Sequence, residues 1–199
     1  MKWLHRTIIQ SRTYQLSWKA TPSGLHDHTH HSHAEIRRLP AETVVDAILQ
    51  STANTKRLRF IGRDVESRKI NQQPRSYQTR SIDYSLLVFG KPLRSVNCDC
   101  ERAESPALPQ ALYIRNDEEL LQMLDRADGW VSEVKGLKSP PKDLRPWIEQ
   151  AYLRTVSRIP TVEELTRCQQ HFANQESFAD GLRDLLWALV NTQEFITNH

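Results

Sequence analysis

Thiols are scarce in this chain and long apolar runs are missing, and each shortage removes a class of protein. Cys98, Cys100 and Cys168 are the only cysteines in 199 residues, and they do not make a disulfide framework. No stretch approaches the roughly 18 apolar residues of a membrane-spanning helix. The N-terminus, MKWLHRTIIQS, lacks the long apolar region and small-residue cleavage site of a signal peptide. It reads as a helix that starts at once, in a chain beginning inside a larger architecture. No C-x-x-C-H motif is present, so the chain carries no covalent c-type haem. Charge of one sign is lacking too: 27 Lys and Arg stand against 24 Asp and Glu, a formal net charge of +3. The basic residues are scattered among the acids, densest from Lys56 to Arg80, which argues against a nucleic-acid face with interleaved aromatics.

What is present suits a modest helical core. Apolar residues make up 38% and the mean hydropathy is −0.62, values that leave room for long polar connections without being disorder-like. A single domain, or one with an extended arm, fits this length and could bury roughly 70% of its unfolded surface without a metal or disulfide staple. The helical period is strongest in PKDLRPWIEQAYLRTVS, where Leu144, Trp147, Ile148, Ala151 and Tyr152 share one face and Pro146 falls in the first turn. Thr161 and Glu164 form a T-x-x-E capping box, and Val162, Leu165, Cys168 and Phe172 carry the next stripe. Ser177 caps a third helix with Asp180 in its first turn and Phe178, Leu182, Leu185, Leu186 and Leu189 along one side.

Trp3, Leu4, Thr7 and Ile8 mark an amphipathic first helix, and Val44, Val45, Ile48 and Leu49, after Pro40, mark a second. Further short helices are expected at 106–114 and 117–125, while YSLLVFGK (84–91) fits strand or helix equally. The expected fold is mainly α: an irregular helical domain with a compact C-terminal three-helix unit and long polar connections. Within 1–199 the organisation reads as an N-terminal helix pair around a polar loop (1–52), an irregular segment (53–105) and a helical unit (106–199).

Two stretches carry candidate chemistry. In HDHTHHSH (26–33), an extended backbone would put His26, His28 and His30 on one face, about 6.5–7 Å apart. Two imidazoles so placed can converge on one ion, with Asp27 adding an oxygen. The flanking Pro22, Gly24 and Ser/Thr residues supply no rigid support, so the loop reads as solvated with at most adventitious divalent-metal affinity.

The second stretch is FGKPLRSVNCDCER, with Cys98, Cys100, Arg94, Asp99, Glu101 and Arg102. Its C-x-C pair has three readings: two thiolates of a metal site, a redox pair, or small packing residues beside an Arg–carboxylate network. The redox geometry is awkward, because extended i, i+2 Cα atoms sit at about the 6.8 Å limit for a disulfide. Arg94, Asp99, Glu101 and Arg102 are the candidate catalytic set, with His5 and Arg6 of the first helix as accessories.

Five co-linear segments, KWLHRTIIQSRTYQLS, RRLPAETVVDAI, FGKPLRSVNCDCER with PQALYIRN, YLRTVSRIPTVEE, and DLLWALVNTQEFITNH, resemble the family called domain of unknown function 1553, a planctomycete-associated domain. Members are usually long, exported proteins in which this domain is C-terminal. It follows a second domain of unknown function and often a cytochrome c module. The resemblance extends over most of the chain, with the least match at 18–36 and 53–83, and the first of these lapses suits a surface connection for the histidine stretch. It also implies that this chain is the C-terminal portion of the domain, and it departs at Tyr113, where similar sequences often have His, and at Asp117, where a small residue is usual.

The resulting expectation is a scaffold or interaction module of a larger exported, cytochrome-linked protein, partnered by other domains of that parent or by its gene neighbours. The alternatives are a fragment of an enzyme acting on extracellular polysaccharide or another polymer, and a metal or redox site at the C-x-C segment.

Overall fold

The computed structural model describes residues 2–27, 29–56, 86, 88–90, 113, 118–137 and 141–198. Among these, helices dominate: α1 (Lys2–Ile9), α2 (Ala41–Ser51), α3 (Glu118–Asp125), α4 (Trp130–Lys135), α5 (Arg145–Thr155), α6 (Val162–Ala173) and α7 (Phe178–Val190). The strands are β1 (Arg37–Arg38) and β2 (Thr197–Asn198), paired antiparallel as Arg37 to Asn198 and Arg38 to Thr197. The fold is therefore mainly α, as the periodicity predicts. The chain divides into two compact units, 1–39 with 197–199 and 40–196.

The larger unit is built around α7. This helix packs against α3, α4, α5 and α6, and buries Leu182, Leu185, Leu186, Leu189 and Val190. Its start follows the sequence: the Ser177 hydroxyl accepts from the Asp180 amide at 3.1 Å, satisfying one orphan N–H of the first turn. The expected capping box of α6 is complete. Thr161 Oγ1 accepts from the Glu164 amide at 3.3 Å, and the Glu164 carboxylate accepts from the Thr161 amide at 2.7 Å. Pro146 lies at the start of α5, where its missing N–H leaves no bond unmade.

Two departures from the sequence reading concern α4 and Val162. Residues 130–135 have no stripe long enough to announce a helix, yet α4 buries Trp130, Val131 and Val134. Its position comes from a backbone junction with the end of α2. The Trp130 amide donates to the Thr52 carbonyl at 2.8 Å, and Ala53 bridges Gly129. A Cβ at Gly129 would stand 2.9 Å from the Arg126 carbonyl and 3.3 Å from that of Thr52, so only glycine lets the chains approach this closely. Val162, expected on the buried stripe of α6, is instead 82% exposed. It is the first residue of the helix, where a side chain overhangs the capping turn rather than the core.

The C-terminal helices also sit closer than their residue sizes suggest. Gly181 faces the ring of Phe172, and a Cβ there would stand 2.5 Å from Cδ1. The ring itself stacks on Phe178 with centroids 5.3 Å apart. A glycine inside a helix costs up to about 1 kcal/mol against alanine, so close packing is what this position gains. Replacing Gly181 with Ala forces the Phe172 ring out of its place and is expected to destabilise the protein by about 1–3 kcal/mol despite the better helix former. Denaturant unfolding checks this; an unchanged or raised midpoint would show that the ring moves freely.

Candidate functional site

The most strongly organised polar group among the described residues lies at the corner between α5 and α6. Helix α5 stops at Thr155, and Ser157 takes φ 58°, the left-handed region that a non-glycine residue adopts sparingly. This reversal presents Arg158 between two carboxylates. Its Nε and Nη2 donate to Glu194 at 2.6 and 2.9 Å, and its Nη1 and Nη2 donate to Glu164 at 2.8 Å each. Both are two-point guanidinium–carboxylate contacts, stronger and more directional than single charged bonds. The Arg158 guanidinium also lies 5.4 Å from the centroid of the Tyr152 ring.

Electrostatics follow the geometry. Hydrogen bonding from Arg158, with help from the Thr161 backbone and hydroxyl, lowers the Glu164 carboxyl to a pKa of about 2. The same contacts from Glu164 and then Glu194 raise Arg158 above its ordinary value. Beneath the clasp, burial pushes both the Tyr152 phenol and the Cys168 thiol up. Cys168 is thus a neutral buried thiol with little thiolate character. Around this rigid centre the corner turns large apolar groups outward: Leu153 is 53% exposed, Ile159 65% and Val162 82%.

Arg158 was not among the residues that sequence patterns single out. One local signal exists, an Arg three residues before the T-x-x-E box, within reach of the box's glutamate. Nothing local points to Glu194, which is 36 residues away.

The candidates drawn from the sequence fall differently. Arg94, Cys98, Asp99, Cys100, Glu101 and Arg102 lie outside the described residues, as does His28. His5 and Arg6 are exposed on α1. In the histidine stretch the organising group is Asp27. Its Oδ1 accepts from the amides of Thr29 at 3.0 Å and His30 at 2.7 Å, and its Oδ2 from the Ser32 amide at 3.1 Å. The His30 amide foremost, then Ser32 and Thr29, holds this carboxyl well below the usual carboxylate range. His31 completes the fold of the loop at φ 52°. His26 and His30 are exposed at the rim of an open depression of about 500 Å³ that Asp27 also lines. The carboxylate is committed to the loop's own backbone. Among the described residues no three His, Cys, Asp or Glu side chains are grouped to hold a metal ion.

Fold and corner together define a mainly helical domain in which an ion-pair clasp fixes an apolar turn. Its sequence also places it in a family. Over residues 1–172, from α1 to Phe172 in α6, the chain matches the family described as PSD1, protein of unknown function (DUF1553), and it belongs to that family. No curated protein and no solved structure matches the chain.

The clasp carries a pH signature. The Glu164 pKa is lowered from 4.5 to about 2, so its contribution to stability is full above pH 4.5 and is lost as the pH falls toward 2. Glu164→Gln is therefore expected to unfold more easily than the native chain at neutral pH, by about 1–2 kcal/mol at this partly exposed position. The gap between the two proteins narrows as the solution is acidified through that window. Thermal unfolding of both across pH 7 to 2.5 checks it; a gap independent of pH would refute the ion-pair origin.

Proposed function

We propose that the chain acts as a scaffold or interaction module, the C-terminal part of a larger exported, cytochrome-linked protein, and performs no reaction on its own. Its partners on this reading are other domains of the parent polypeptide or products of neighbouring genes. The observation that carries the reading is the α5–α6 corner. Leu153, Ile159 and Val162 stand exposed within ten residues of chain, and the Arg158–Glu164–Glu194 clasp holds that turn in one conformation. Scattered exposed apolar residues are ordinary. Ile159 on the turn and one such residue in each flanking helix, at a corner held by two-point ion pairs, are arranged for contact, because a preorganised surface loses less entropy on docking. The family resemblance supplies the larger setting, a domain that follows others in exported proteins.

The corner's side chains separate docking from folding. Ile159→Asp with Val162→Asp removes the apolar face while leaving the core, and unfolding is expected to stay within about 0.5 kcal/mol of the native chain. A photo-crosslinking residue at position 159 is expected to capture a domain of the same parent or a protein encoded beside it. The double variant, with the crosslinker moved to position 153, loses that product. Equal capture by the double variant, or no such product from position 159 or 153 of the otherwise native chain, would overturn the reading.

A further inference from the structure

The smaller unit shows a surface of a different kind. None of the residues of α1 is buried, although the helix is strongly amphipathic. Turned through 100° per residue, Trp3, Leu4, Thr7 and Ile8 fall on one side, and Lys2, His5 and Arg6 on the other with Ile9 among them. Thr7 does not spoil the apolar side, since its hydroxyl donates to the Trp3 carbonyl at 3.0 Å and is already satisfied. Trp3 is 75% exposed, and Tyr14, Trp18 and Leu25 further along the same unit are exposed as well. The charge is one-sided: Lys2, Arg6, Arg12 and Lys19 precede the first carboxylate of the chain, Asp27. Lys19 places its ammonium 5.8 Å from the centroid of the Trp18 ring, so aromatic and cation are side by side.

We propose that α1 and the segment after it lie on an anionic lipid surface, with the Trp3, Leu4 and Ile8 side in the headgroup–acyl boundary and the basic residues at the phosphates. Two features favour lipid over a polypeptide partner. Arg, Trp and Tyr suit either kind of surface, but lysine is depleted from protein–protein contacts, whereas Lys beside Trp is what the interface of an anionic bilayer selects. The apolar groups are also uncovered along the whole helix, and a bilayer receives exposed side chains without shape complementarity. The contact is peripheral: no helix among the described residues is long and apolar enough to cross a membrane. It stands on other residues than the α5–α6 corner, so either proposal can fail alone.

Co-sedimentation of the full chain with vesicles tests it. Vesicles of phosphatidylcholine containing about one-third phosphatidylglycerol are expected to bind at least tenfold more tightly than phosphatidylcholine alone, and added salt to weaken the binding. Lys2→Glu with Arg6→Glu removes the anionic preference, and Trp3→Ser with Ile8→Ser removes binding to both vesicle types. Because α1 buries nothing, both double variants keep the native unfolding midpoint, which shows that they fold. Equal binding to the two vesicle types, binding unaffected by either double variant, or no binding at all would overturn the proposal. So would selective binding of polyglutamate in place of vesicles, which would assign the face to an acidic polypeptide.

Discussion

The Trp130 indole is where the helical unit closes on itself. The side chain is almost wholly buried, and the residue's amide is tied to the Thr52 carbonyl at the end of α2. One face of the ring carries the Arg154 guanidinium of α5 at 3.7 Å from the centroid, and Arg154 in turn donates to the Ala53 carbonyl at 2.7 Å. Burial lowers Arg154 to a pKa of about 10, which still leaves it charged at neutral pH. Trp130 also stacks on Trp147 at 5.8 Å, Trp147 meets Phe178 edge-on at 5.3 Å, and Phe178 stacks on Phe172. One run of rings thus joins α4, α5, α7 and α6. Each such pair contributes about 0.5–1.5 kcal/mol beyond the area it buries, and each fixes a mutual orientation that aliphatic packing alone leaves looser.

That run anchors both helices that flank the corner at Arg158. Helix α5 is held by Trp147 and Arg154 along its length, and α6 is held by Phe172 against Gly181. The turn between them has both ends anchored. The clasp then selects one conformation of a short connection, a less demanding task than ordering a free loop. The acids on either side of Arg158 come from the start of α6 and from the 3₁₀ turn Glu194–Ile196, so the corner also reports whether the chain after α7 has folded back.

Much of the architecture was legible because local signals agree with the tertiary outcome. The stripe from Leu182 to Leu189, the T-x-x-E box at Thr161 and the cap at Ser177 each depend on residues within a turn or two of one another, and all three are present in the fold. Helix α4 and its docking were not legible. Trp130, Val131 and Val134 are too few to display a period, and the bonds that place them come from Thr52 and Ala53, far away in sequence. The corner was half legible: Glu164 belongs to a recognisable box, but its second role depends on Arg158 and Glu194 meeting in space. Asp27 shows the opposite error of emphasis. Five histidines drew attention to the stretch, while the group that organises it is the single carboxylate gathering three backbone amides.

Sequence by itself determined the helical class, the ends of the C-terminal helices and membership in the family, since periodicity, caps and co-linear segments are properties of the chain's order. Only the tertiary structure decided which side chains become partners and which stay uncovered. Val162 and the apolar side of α1 have the same apolar character as Leu182, yet Leu182 is enclosed and they are not. Apolar character states a preference for leaving water, whereas burial requires a second surface of matching shape, and that surface is supplied by distant residues.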